Sequence, residues 1–386
     1  MESREGLGVI APEAEFVDEE ILPFVPKQRV GEVVVIDPRD AGRPVPFNPL
    51  RLAPGDDFDL KAGELITILQ RLCDDGSSPA PRMATILAAA VYALGQVPGS
   101  TLSDIERLLD PHDLSFRSWV VARLTDERTR RFWNDVYPGY PSGAHLSLTT
   151  RLERFLRSKH VRNTLCHPDT SFNIREGMDT RKIILIPLSD GLLGPAADVL
   201  AQIFSSAFQL AAMSRADTPA ADRIPFYLYL DEFSRIAGSS ATAWEQVFTR
   251  ARKYSLGLTV GFQHLGLLDK DLARDLLGNV GTIIAFRCGA ADARRLSREL
   301  VGEIDGELVS VDPGELVSLP VGRAICKIGR TLLRLQTLPP PSDGDPSVRA
   351  EVLRCSRERY GVAAKTGSLP GPRRAWALPE NPGEVL

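Results

Sequence analysis

The sequence predicts an α/β protein: a mostly parallel sheet flanked by helices and interrupted by an all-helical insertion. Short apolar runs recur, namely VVVID (33–37), IILIPL (183–188), FYLYLDE (226–232), LTVGFQ (258–263), TIIAFR (282–287) and RAICKI (323–328). Most do not alternate apolar with polar residues, as expected of strands covered on both faces. Segments of helical length lie between the later runs, at 195–213, 241–254, 270–277 and 290–300. Strand–helix–strand spacing of this kind implies a doubly wound sheet, with the runs at 183–188, 226–232, 258–263 and 282–287 as neighbouring strands.

The elements divide the chain into four parts. Residues 1–58 form an N-terminal part of the sheet domain, and 59–178 an all-helical insertion with no strand pattern. Inside the insertion, PRMATILAAAVYAL (81–94) opens with Pro81 in a first-turn position, and TLSDIERLL (101–109) carries a capping-box pattern from Ser103 to Glu106. RSWVVARL, ERTRRFWNDV and LSLTTRLERFL continue the helical periodicity, with Trp119 and Trp133 expected in the core. Arg151, Arg154, Arg157, Lys159 and Arg162 fall at helical spacing, and a solvated face outweighs a DNA-contacting one. Residues 179–340 return to the sheet domain. The remainder, 341–386, is rich in proline and glycine and is expected to be mostly mobile, with one short helix near 348–359.

Composition narrows the function. The chain has 386 residues, 43% hydrophobic and 25% charged, with a net charge of -4, so no global basic field announces nucleic acid. No apolar run approaches the ~18 residues of a membrane span, and the N-terminus lacks a basic segment followed by an apolar one. Cys73, Cys166, Cys288, Cys326 and Cys355 are scattered without a CxxC pair, which fits reduced thiols in a cytosolic protein.

The chemistry centres on FYLYLDEFSRIAG (226–238). A carboxylate at the C-terminal end of a buried parallel strand points into the crevice where open α/β sheets bind ligands. Asp231 in that place can order a magnesium shell, and Glu232 can accept a proton from an attacking water. The plain alternative is that Asp231 ends a strand and Glu232 caps the next helix. Gln263 ends the following run and can orient a lytic water, or be a polar strand end. Arg250, Arg252 and Lys253 form a basic cluster before that run. Such a cluster is either a solvated helix end or an arginine finger reaching a neighbouring subunit. A nuclease using Asp231 and Glu232 for metal lacks a supporting His or third carboxylate motif.

Taken together and in order, YLDEF, ARKYSLGLTVGFQHLGLL and LLGNVGTIIAFRCGAADARRLS resemble the RecA-like hexameric DNA-pumping ATPases of the HerA/FtsK group. Within that group the chain is most similar to conjugative coupling proteins of the TraG/TraD type, found in type IV secretion. The resemblance extends back through IILIPLSDGLLG, RRFWNDVYP and VVVIDPRDAGRPVPFNPL, and forward through SLPVGRAICKI, covering roughly residues 7–340. It implies ATP and magnesium as cofactors, with Asp231 and Glu232 as the Walker B pair, Gln263 as sensor and Arg252 as the finger. It also implies DNA as partner, a homo-hexameric ring and relaxosome or secretion-channel contacts. The implied location is the cytoplasm, with the membrane met only through partners.

Two departures stand against a complete motor. GLGVIAPEAEF (6–16) has Ala11 where the family commonly places an Asp, and no Gly-Lys-Ser/Thr occurs in the chain. The nearest imitation, AAKTGS (363–368), has no glycine before its lysine. The sequence therefore predicts a sheet truncated at its N-terminal side and lacking the Walker A strand. Such a chain is inactive alone, either as a motor part whose phosphate loop is supplied elsewhere or as a non-hydrolysing adaptor that docks DNA-processing or secretion partners.

Overall fold

The computed structural model describes residues 4–52, 56–72, 81–237, 244, 247–249 and 251–363. Cys73, Arg250 and the AAKTGS stretch from Lys365 onward lie outside the described residues. A parallel five-stranded sheet contains β1 (Gly6–Ala11), β2 (Val33–Val35), β3 (Ile183–Pro187), β4 (Phe226–Leu230) and β5 (Leu256–Val260). Its spatial order is β2-β3-β1-β4-β5, and every pairing in it is parallel. A second sheet, ordered β6-β9-β10-β7-β8, is mostly antiparallel. It is built from β6 (Thr282–Ala285), β7 (Val301–Ile304), β8 (Glu307–Ser310), β9 (Arg323–Ile328) and β10 (Thr331–Gln336).

Two expectations about the sheet need correction. The runs at 183–188 and 226–232 are not neighbours, because β1 lies between them. The run at 282–287 does not join the parallel sheet at all. It becomes the edge of the second one, where its side chains are mostly exposed. Apolar runs report burial, and burial alone does not say which strand lies alongside.

Helix α1 (Ala14–Glu20) follows β1. Between β2 and β3 the described residues hold only helices: α2 (Phe58–Leu72), α3 (Pro81–Gly95), α4 (Asp104–Leu109), α5 (Leu114–Val121), α6 (Glu127–Arg131), α7 (Leu146–Leu156), α8 (Lys159–Leu165) and α9 (Ile174–Asp179). Trp133 is buried and Trp119 packs half-buried against the same core. The capping box expected at Ser103 does not form, since its side chain makes no cap bond. The buried Asp104 instead accepts from the Thr101 amide at 2.7 Å, a charge-assisted bond that a hydroxyl does not match. The basic residues between 151 and 162 are divided between α7 and α8, with the chain breaking helix at Arg157 and Ser158, so they do not line one helical face.

The second half adds α10 (Asp190–Leu193), α11 (Ala196–Met213), α12 (Phe233–Ala237), α13 (Lys270–Asn279), α14 (Ala290–Glu299), α15 (Pro313–Ser318) and α16 (Pro346–Tyr360). Of the helix expected over 241–254, the described part ends in a 3-10 turn at Ala251–Tyr254. The helix expected near 348–359 is α16, slightly longer at both ends.

The long apolar helix α11 lies against one face of the sheet, mostly buried. Gly8 makes that approach possible, because a Cβ there would meet the Phe208 ring at 3.0 Å and Leu228 at 3.2 Å. The helical insertion shares this core, in which Ile10, Phe226, Leu228 and Leu230 join Leu94, Leu108 and Leu148. The opposite face is covered over β2, β3 and β1, where Val9, Val33, Val35 and Leu185 pack with Val17, Val348 and Val352. Over β4 and β5 that cover stops, and Tyr227, Tyr229 and Thr259 are exposed. Alternation along β4 places its two tyrosines on this bare side.

Candidate functional site

The parallel strands bring their C-terminal ends to one edge, and Asp231, Glu232 and Gln263 meet there. Main-chain bonds fix the geometry. The Asp231 amide donates to Ile10 O at 3.1 Å, the Gly261 amide to Leu230 O at 2.9 Å, and the Phe233 amide to Gly261 O at 2.8 Å. Gly261 thus ties the turn after β4 to the turn after β5. A side chain there would come within 3.7 Å of an Asp231 carboxylate oxygen.

Gln263 Nε2 donates to Glu232 Oε1 at 2.9 Å. Glu232 itself stands at φ 48, the left-handed region that a branched or long side chain rarely occupies. Such backbone is retained where surrounding bonds over-determine it, and it clusters at functional sites. Burial pushes the Asp231 carboxyl up, the amide of Glu232 draws it down and the charge of Glu232 pushes it up again. Among the described residues no lysine or arginine pairs with either carboxylate.

Two adjacent carboxylates without a countercharge suit a hard cation. Magnesium takes one or two carboxylates and fills the rest of its shell with water and phosphate oxygens, so this pair fits it. No group of three or more His, Cys, Asp or Glu side chains that could hold a metal ion occurs among the described residues.

Arg252 is placed elsewhere. It is exposed on the 3-10 turn that enters β5, at the opposite end of the strand from Gln263. Five extended residues separate the two ends, ~15 Å. His264 is exposed beside Gln263. Ala11, where an Asp was expected, is fully buried at the end of β1.

Sequence reasoning missed Arg235. Its guanidinium donates to Asp198 Oδ1 at 2.8 Å and to Asp190 Oδ1 at 2.7 Å, pinning α12 to α10 and α11. These bonds, Asp190 foremost, outweigh burial and hold its proton more firmly than usual. Arg235 therefore positions the turn that carries Asp231 and Glu232. Its place just after the pair was the available signal, but the acidic partners come from 37 and 45 residues earlier in the chain, and spacing cannot name them.

No protein-family model matches the sequence, and no curated protein matches it either. Solved structures do. The unbound monoclinic form of the bacterial conjugative coupling protein TrwBdeltaN70 aligns with a TM-score of 0.55 at 14% identity, over 89% of this chain and 79% of that one. Its trigonal form in complex with sulphate gives 0.52 at 15% identity, over 88% and 81%. VirB4 of Thermoanaerobacter pseudethanolicus gives 0.55 at 16% identity, over 87% and 83%. At these identities the likeness establishes the fold: the α/β core is of the RecA-like kind that the motifs implied.

Proposed function

We propose that this chain is the Walker B and sensor part of an ATP-driven DNA-translocating motor of conjugative transfer, acting in type IV secretion. One observation carries the reading most: the Gln263–Glu232 hydrogen bond of 2.9 Å at the edge where Asp231 presents a carboxylate without a cationic partner. The fold shared with a conjugative coupling protein supports it. Magnesium-ATP would supply the phosphoryl group and the cation that neutralises its charge. Asp231 would hold that cation, and Glu232 would accept the proton of the attacking water. Gln263 holds the Glu232 carboxylate and reports on what lies beside it.

The same reading makes residues 1–58 and 179–340 the motor core, 59–178 the helical insertion and 341–386 a tail. Arg252, far from its own acidic cluster, would serve the neighbouring protomer of a homo-hexamer. DNA and relaxosome or secretion-channel proteins are the partners. A second reading, a non-hydrolysing adaptor, is favoured by the absence of Gly-Lys-Ser/Thr from the sequence.

The two part company in one assay. With a phosphate-loop segment supplied, the motor reading expects ATP turnover that Glu232→Gln lowers by ~10²–10⁴ while nucleotide binding persists. Parent-rate hydrolysis by Glu232→Gln would reduce that residue to a structural turn. No turnover with any such segment favours the adaptor.

A further inference from the structure

We propose that Asp292 is a positioning residue for Gln263. It anchors the turn on which Gln263 stands, and so makes the acidic edge answer to the placement of the second sheet. That Gln263 senses a phosphate rests on the function proposed above; its placement by Asp292 does not.

Gln263 stands on an arch of three residues, Phe262, Gln263 and His264. Among the described residues, none of their three amides has a hydrogen-bond acceptor. Gln263 and His264 are exposed and Phe262 is half-buried. An arch without internal bonds takes its shape from its two ends. The first end is Gly261, whose amide and carbonyl are both tied to the turn after β4. The second is Leu265, whose side chain is buried in the main core and whose amide donates to Asp292 Oδ2 at 3.0 Å. Apolar burial is non-directional, so it sets the depth of Leu265 without fixing its rotation. The hydrogen bond is directional and does fix it.

The residue type suits the task. Asp292 lies in the first turn of α14, and the residue before that helix is Gly289, which has no side chain to cap it. The open amides of a first turn favour a negative charge there. A carboxylate accepts an N–H more strongly than a neutral oxygen does. Among the described residues, the Leu265 amide is the one hydrogen-bond or ion-pair partner that this carboxylate has.

The same bond joins two parts of the molecule. Ala293 of α14 is buried with Ile325 and Leu332 of the second sheet, and Leu296 packs on both apolar cores. Between residues 256–279 and residues 282–336, Leu265 to Asp292 is the only hydrogen bond or ion pair among the described residues. A rotation or slide of α14 is therefore delivered to Leu265, two residues from Gln263. Gln263 Nε2 reaches Glu232 at 2.9 Å, and a shift of about 1 Å would break that bond. A second sheet displaced by load or by a partner would thus release Gln263 from Glu232 without touching either.

Solution NMR of the 386-residue chain, without nucleotide, reads the arrangement directly. Asp292→Ala should speed exchange of the Leu265 amide at least ~10-fold. It should also move the Gln263 side-chain NH2 resonances towards those of an unbonded glutamine amide. Asp292→Asn keeps an acceptor oxygen and should restore both at least in part. Leu296→Ala loosens the packing of α14 but keeps the carboxylate; it should lower the melting temperature and leave the Gln263 resonances close to those of the parent. Asp292→Ala with parent-like Gln263 resonances overturns the proposal, and a lowered melting temperature as its sole effect makes Asp292 a helix cap. Leu296→Ala moving Gln263 as far as Asp292→Ala does, or no rescue by Asp292→Asn, also overturns it. Magnesium chloride on the parent is a separate arm. Glu232 and Gln263 blind to magnesium, with Gln263 freed by Asp292→Ala, keeps the positioning and counts against the magnesium reading. A response to magnesium with Gln263 indifferent to Asp292→Ala does the reverse.

Discussion

At one end of the parallel sheet, β2 is closed. The Val35 amide, which would otherwise point outward, donates to the buried hydroxyl of Ser356 at 2.8 Å. Val348 and Val352 of α16 pack over Val33 and Val35, and Arg357 reaches Asp40 at 2.7 Å. At the other end, among the described residues, β5 has no such helix and no such hydroxyl. Both ends follow the same apolar sequence rule, so the difference is one of partners rather than of strand chemistry.

The largest expected effect tests the closure. Val352 is completely buried, and Val352→Asp would place an unpaired carboxylate between α16 and β2. A loss of about 3–5 kcal/mol in urea unfolding is expected. A loss below about 1 kcal/mol would mean that α16 is a loose appendage and the two edges are alike.

Next is Ser356→Ala, which leaves the Val35 amide without its acceptor. It should cost about 1–3 kcal/mol, whereas Thr259→Ala on the open strand should stay within about 0.5 kcal/mol. Equal losses at the two sites would remove the contrast.

The smallest effects distinguish the carboxylates near each edge by sign. Burial works against Asp40, but Arg357 and the amides of Arg43 and Gly42 outweigh it and lower its pKa. A lowered carboxyl pKa adds stability above the unfolded value, near 3.9, and that stability is lost as pH falls through the folded value. Asp231 is raised by burial, so its contribution is present below about 3.9 and lost as pH rises through the higher folded value. Asp40→Asn should therefore destabilise at pH 7, and Asp231→Asn stabilise, each by about 1 kcal/mol or less. In thermal melts both differences should shrink as pH falls, that of Asp231 through its raised folded value and that of Asp40 only through its lowered one. Two shifts of the same sign would contradict the picture of a paired and an unpaired carboxylate.

The same comparison shows where the sequence was readable. FYLYL ending in Asp231 and Glu232, and the run ending near Gln263, identified two adjacent strands and the edge they share, because apolar run and polar terminus are local signals. The helical character of 59–178 was legible for the same reason. Strand order was not. β1 sits centrally because Gly6 and Gly8 admit side chains packed on its neighbours, a matter of tertiary fit. The migration of 282–287 to another sheet depends on what pairs beside it. Arg235 stayed hidden because its acidic partners lie on a different element.

The central place of β1 also sets an order of events during synthesis. Leu7 pairs with Ile183, and Gly6 with Phe226. The strand is synthesised 176 residues ahead of one neighbour (Leu7 to Ile183) and 220 ahead of the other (Gly6 to Phe226). At typical elongation rates, more than 200 residues take about 10–45 s to appear. Through that interval an apolar, glycine-containing strand has no ladder to join, and closing loops of that length slows pairing further. The helical insertion, rich in local contacts, can be complete long before. Nascent chains of this protein are therefore expected to call on holding chaperones at β1, and the sheet to close in a single late step once β4 is out.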